Sequence, residues 1–100
     1  MKPRFLDAAE AEFLHAIAEY EKEREGLGDE FRAEVMDTVR QIGRDPLQFS
    51  LYEGLSKATK ARRAIVTRFP YVVIFDVRPD EILIVAVSHG HQRPGYWKNR

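Results

Sequence analysis

Two apolar runs late in the chain constrain its fold more than any other feature. Segments 71–77 (YVVIFDV) and 81–88 (EILIVAVS) are rich in Val and Ile and nearly devoid of polar residues. β-Branched side chains suit a pleated, packed surface, and a run without polar alternation reads as a strand buried on both faces. Only Arg78-Pro79-Asp80 separates the two, so they should pair antiparallel across a tight turn. Segment 63–69 reads as a strand ahead of them, with Phe69-Pro70-Tyr71 as its turn, and the three make an antiparallel meander. A sheet this apolar needs cover, which the first half of the chain must provide.

That half has helical periodicity. Asp7 is placed to cap a helix, with Glu10 three residues on as its capping-box partner. Phe13, Ile17 and Tyr20, widened by Leu14, form one apolar stripe over 7–24, and Glu12, Glu19 and Glu23 fall on the other face. Gly26 and Gly28 end this helix. A second helix starts near Asp29, with Phe31, Val35, Val39 and Ile42 on one face. Gly43 is its stop, and Asp45-Pro46 forbids continuation. A link of four or five residues predicts an antiparallel helical hairpin. Residues 2–6 contain Pro3, so a strand there lies at an edge or begins after the proline. Segment 47–60 is a connection with room for a short strand at 49–52. The expected fold is α+β, in the order β-α-α-β-β-β. One domain spans 1–100, with the helical hairpin packed on one face of an antiparallel sheet.

Composition narrows the functional classes. The 100 residues contain no cysteine, which excludes a disulfide framework and any Cys-based zinc site or nucleophile. No run approaches a membrane span and no signal peptide is visible, so the expected location is the cytoplasm. Sixteen basic and sixteen acidic side chains cancel, which argues against a general nucleic-acid coat. Their distribution is uneven. Residues 1–50 carry 7 Lys+Arg against 12 Asp+Glu, whereas residues 51–100 carry 9 against 4. Such a molecule can present a positive face to an anionic partner, although acidic helix faces are also simply solvated. Lys57, Lys60, Arg62, Arg63 and Arg68 form the one basic block without an acid.

Gly26-Leu27-Gly28 followed by Phe31 and Val35, Arg62-Arg63 leading into Arg68-Phe69-Pro70-Tyr71-Val72-Val73, and Ala86-Val87-Ser88-His89 followed by Arg93-Pro94, Tyr96-Trp97 and Arg100 occur in that order. In this the chain resembles the ParE/RelE toxin superfamily of bacterial toxin–antitoxin modules over nearly its whole length, most closely the ParE-like, plasmid-stabilisation branch. The resemblance implies a small toxin neutralised by a cognate antitoxin. Proteins similar to ParE poison DNA gyrase, and those similar to RelE cleave messenger RNA on the ribosome. A shared fold does not select between these activities.

RNA cleavage requires a base, cations for the phosphate and an acid for the leaving oxygen. On the RelE-like reading, Arg63 and Arg68 hold phosphate, Tyr96 stands near the reacting group, and His89 or His91 exchanges protons. Lysines are sparse for that route, and the neutral total disfavours a ribosomal target. Gyrase binding requires only an interface. Arg62, Arg63, Arg68, Arg93, Tyr96 and Trp97 are its candidates, since Arg, Tyr and Trp dominate binding hot spots. Trp97 is equally suited to closing the core, and Arg93 to pairing with a helix carboxylate. His89 and His91 would share a strand face, but two ligands fall short of a zinc site. With no Gly-rich phosphate loop either, neither metal nor cofactor is expected.

Overall fold

The computed structural model describes residues 1–52 and 60–100. The readings that fall on Gly54, Leu55 and Lys57 lie outside the described residues. Strand β1 (Arg4–Phe5) starts directly after Pro3. Helices α1 (Asp7–Glu23) and α2 (Leu27–Arg44) follow, then a 3-10 turn at Pro46–Gln48. Strands β2 (Arg62–Ile65), β3 (Tyr71–Val77) and β4 (Ile82–His89) complete the order. The architecture is α+β, with the meander β2-β3-β4 antiparallel as its short turns require. β1 joins the outer side of β4 in parallel, so the sheet is mixed, in the order β1-β4-β3-β2. The crossover through both helices is what permits that parallel pairing.

Local chemistry moves several element ends. Asp7 is no cap: Leu6 holds the N-cap position, and no side chain caps it. The Leu6 N–H donates to Ile84 O (2.9 Å), and its carbonyl accepts from the Glu10 N–H (2.9 Å). The chain therefore passes from strand to helix without a gap, leaving Asp7 and Glu10 in the first turn, where the helix dipole favours them. Only three residues link the helices. The Gly28 N–H and the Gly26 N–H both donate to the Glu21 carboxylate (3.0 Å each), so α1 caps α2. Gly43 does not end α2, which runs on to Arg44. A Cβ there would lie 2.9 Å from Met1 O and 3.0 Å from Pro3 Cδ, so the glycine makes room for the N-terminal segment. β2 ends at Ile65 because residues 66–70 form the turn. In it, the Val66 N–H donates to Tyr71 O (3.0 Å), and Arg68 takes a left-handed φ of 73°. In place of a strand at 49–52, Leu51 makes one antiparallel bridge to Arg62.

Strands β3 and β4 are largely buried on both faces, whereas β2 exposes Arg63 and Ile65 on the face away from the helices. Between helices and sheet lie Ala9, Phe13, Ala16, Phe31, Val35, Val39 and Ile42 against Val66, Val73, Phe75, Ile82, Ile84 and Val87. Leu14 is not part of this stripe and is half exposed; Ala9 and Ala16, which share the face of Phe13, occupy it instead. On the opposite face, Ile74, Val85 and Ala86 are covered by Trp97 and Tyr52. A bulge at Val85 shifts the register from Ile74↔Ala86 to Phe75↔Ile84 and bends β4 midway.

Candidate functional site

Candidate residues gather in two places: the tail after β4, and the sheet face turned away from the helices. The tail, residues 90–100, is a series of tight turns. Backbone bonds run from the Gln92 N–H to His89 O, from Tyr96 to Arg93, from Lys98 to Gly95 and from Arg100 to Trp97. This compact path lies along the outer edge of β4, which β1 covers only as far as Ile84. Beyond that point β4 would expose unpaired backbone groups, and an open edge invites non-native pairing.

Side chains close the edge. The Val87 N–H donates to Glu12 Oε1 (3.1 Å), and the His89 N–H donates to Gln92 Oε1 (2.7 Å). Arg100 Nη1 donates to Val85 O (3.1 Å). Glu12 on α1 is the hub. Its Oε1 also accepts from Arg100 Nη1 (2.8 Å), and its Oε2 accepts from Arg100 Nη2 (3.1 Å) and from the Tyr96 hydroxyl (2.6 Å). The pair is bidentate and largely shielded, with 18% of the Glu12 side chain and 22% of Arg100 exposed. The Arg100 guanidinium also lies 5.1 Å from the Tyr96 ring centroid. Burial, reinforced by the bond to Glu12, pushes the Tyr96 phenol up to about 12, so it stays protonated at neutral pH.

Tyr96 and Trp97 thus point to different sides. Tyr96 reaches over the edge to α1. Trp97 turns under the sheet and meets Tyr52 edge-on, with ring centroids 5.1 Å apart. Trp97 is buried and belongs to the core.

The three arginines of the basic block diverge. Arg62 faces the helices beside Phe75 and donates to Phe49 O (2.6 Å), holding the connection to β2. Arg63, its neighbour, points to the opposite face across from Ile74 and is exposed. Arg68 donates to Glu30 Oε1 on α2 (2.7 Å), while Arg24 binds the other oxygen of Glu30 (3.0 Å). The Arg68 bond, then the Arg24 bond, hold the Glu30 carboxyl below its usual range. Arg93 is exposed and makes no ion pair among the described residues, so the expected helix carboxylate does not hold it.

His89 ends β4 against Tyr71, and His91 lies in the following turn. The two rings stack at 4.9 Å, and the His91 N–H donates to His89 Nδ1 (3.0 Å). They do not share a strand face, because β4 stops between them. No group of three or more metal-binding side chains occurs among the described residues.

Two participants escape a reading of the sequence. Glu12 reads as part of a solvated face, yet it falls three residues after Ala9 and four before Ala16, at the edge of the buried stripe. A carboxylate there was the available signal. Ile65 is 69% exposed beside Arg63, opposite half-buried Val72. Nothing in its strand context distinguishes it from a core residue.

Comparison with known proteins gives the following. The family model described as "ParE toxin of type II toxin-antitoxin system, parDE" matches residues 4–94. No curated protein matches the sequence. Among solved structures, a chain of the chromosomal ParDE TA system from P. aeruginosa is similar in fold, with a TM-score of 0.70 and 18% sequence identity. The match covers 89% of this chain and 95% of that one.

Proposed function

This chain belongs to the ParE toxin family of type II toxin–antitoxin systems, and on that premise we propose that it acts by binding rather than by catalysis, with DNA gyrase as its target and a ParD-type antitoxin as the partner that neutralises it. The proposed contact surface is the sheet face opposite the helices, with Arg63 and Ile65, continued by the exposed parts of the tail at Arg93 and Lys98.

The observation that carries this reading is the dispersal of the residues that RNA cleavage would need together. Arg63 faces away from the helices, and Arg68 is bound to α2. The Tyr96 hydroxyl donates its proton to Glu12. Proton transfer to a substrate requires a group within hydrogen-bond reach and with a pKa near the working pH. Tyr96, held near 12 and already bonded to Glu12, is far from that pKa. A binding surface makes lesser demands: an exposed apolar side chain beside an arginine has the composition of an interface centre.

The test is controlled expression in a bacterial host, following the DNA-damage response and protein synthesis together, with Arg63→Ala beside the unaltered chain. Damage induction and filamentation with continuing translation, weakened about tenfold or more in Arg63→Ala, is the expected result. Prompt loss of translation with cleaved messenger RNA would replace this reading with the ribosome-dependent endonuclease. Undiminished damage induction in Arg63→Ala would remove this face from the contact.

A further inference from the structure

Glu12 satisfies four donors from three separated parts of the chain: the Val87 N–H, the Tyr96 hydroxyl and two nitrogens of Arg100. The residues it joins are 75 to 88 positions away in sequence. Among the described residues, no strand takes up the edge of β4 beyond Ile84. What keeps the tail against that edge on the α1 side is therefore this carboxylate, together with the Gln92 bond to the His89 N–H and the Arg100 bond to Val85 O.

We infer that Glu12 is a positioning residue for the toxin: one helix carboxylate fixes the path of the tail through Tyr96 and Arg100, and so sets how Arg93 and Lys98 are presented to the target without touching the target itself. The inference rests on the proposed role of the tail in target contact.

Geometry gives the latch its character. Arg100 approaches Glu12 through both terminal nitrogens, a planar two-point arrangement that fixes orientation as well as distance. Tyr96 adds a third direction, and the Val87 N–H ties the group to the sheet. Each turn of the tail is closed by a single backbone bond, so the short turns alone resist opening weakly. Trp97 holds the other side by burial, a contact with less directional demand.

Glutamine at position 12 keeps an acceptor for Val87 but loses the charge that pairs Arg100. Alanine loses both. Purified Glu12→Gln, Glu12→Ala and Arg100→Ala are compared with the unaltered toxin in three respects. These are hydrogen exchange at the Val87 and His89 amides, the near-ultraviolet circular dichroism of Trp97, and inhibition of purified gyrase. In Glu12→Ala, exchange at Val87 should rise about 10- to 100-fold, with exchange at Val73 and Phe75 unchanged. The Trp97 signal should diminish, and inhibition should fall about tenfold or more. Glu12→Gln should lie between Glu12→Ala and the unaltered chain, the partial rescue expected of a positioning group.

An unchanged Val87 exchange rate and Trp97 signal in Glu12→Ala would overturn the inference. Should Glu12→Ala fail to fold, Arg100→Ala removes the partner while leaving the Val87 bond in place, and an ordered tail in that variant would overturn it equally. A loosened tail with undiminished gyrase inhibition would uphold Glu12 as the residue that places the tail and would instead refute the tail's part in target contact.

Discussion

Single side chains here do work that their residue type does not announce. Tyr96 is a candidate to stand beside a reacting group by type, but its hydroxyl donates a hydrogen bond to Glu12. Arg68 is a candidate phosphate ligand, but it ties the β2–β3 turn to α2 from a left-handed backbone position. The Tyr96 environment has a consequence at high pH. Its folded-state pKa is raised to about 12, above the ordinary tyrosine value, so the neutral phenol stabilises the fold fully below about 10. That contribution is lost as pH rises from about 10 through 12, because the unfolded chain ionises first. Tyr96→Phe should therefore flatten the alkaline loss of stability. Urea midpoints measured at steps of pH should fall less steeply for the variant than for the unaltered chain above about 10. Tyr20 and Tyr71, also raised chiefly by burial, leave a residual slope. Equal slopes in the two proteins would mean that the phenol is not held by burial and Glu12.

Among the elements, the helical hairpin and the last strand carry the tightest constraints. The hairpin depends on a close crossing at Gly28. A Cβ there would lie 2.7 Å from Ile17 O and 2.9 Å from Glu21 Oε1, and the first of these is backbone that cannot swing aside. Gly28→Ala should separate the helices and disturb the Glu21 cap, costing about 1–3 kcal/mol as overpacking does. A lower urea midpoint at unchanged slope is the expected observation, and an unchanged midpoint would show that the crossing can relax. For β4, bulge and latch belong together. The bulge at Val85 bends the strand just beyond Ile84, the last residue that β1 covers. The edge past the bend is left to side chains from α1 and the tail.

At the scale of the whole molecule, the division of charge acquires a structural meaning. Two carboxylates of the acidic helices are joined to bases from the second half of the chain. Glu30 holds Arg68, and Glu12 holds Arg100. These pairs fasten helices to sheet and tail, and the exposed cations of the second half that make no ion pair among the described residues are Lys60, Arg63, Arg78, Arg93 and Lys98, of which Arg63, Arg93 and Lys98 belong to the proposed contact surface. Rim charges of this kind act on association rate and respond to salt. If gyrase is the target, as proposed above, binding should weaken about 3- to 10-fold from low to physiological ionic strength, chiefly through slower association, as stopped-flow or surface-binding kinetics would reveal. A salt-independent association rate would leave Ile65 and its apolar neighbours to carry the contact alone.

How much of this was legible beforehand follows from the range of the interactions. Helix periodicity through Phe31, Val35, Val39 and Ile42, the doubly buried runs 71–77 and 81–88, and the requirement that a strand near Pro3 lie at an edge or begin after it are all local signals. Each acts within a few residues of chain, so element order and the two-sided burial of the sheet could be read directly. The ends of elements were less legible. Asp7 and Gly43 carry the right residue types for a cap and a stop, but contacts from Ile84, Met1 and Pro3 decide their roles. The parallel pairing of β1 and the site lay wholly beyond local reading. Arg62 and Arg63 are neighbours in sequence and on opposite faces in the sheet. Glu12 and Arg100 are nearly a chain length apart and 2.8 Å apart in space. Periodicity by itself determined the elements and most of the apolar face each one buries; only tertiary packing decided the margins, where Leu14 and Ile65 stay exposed, and which polar groups meet, because a buried or edge-bound polar group takes whatever partner the folded chain brings within about 3 Å.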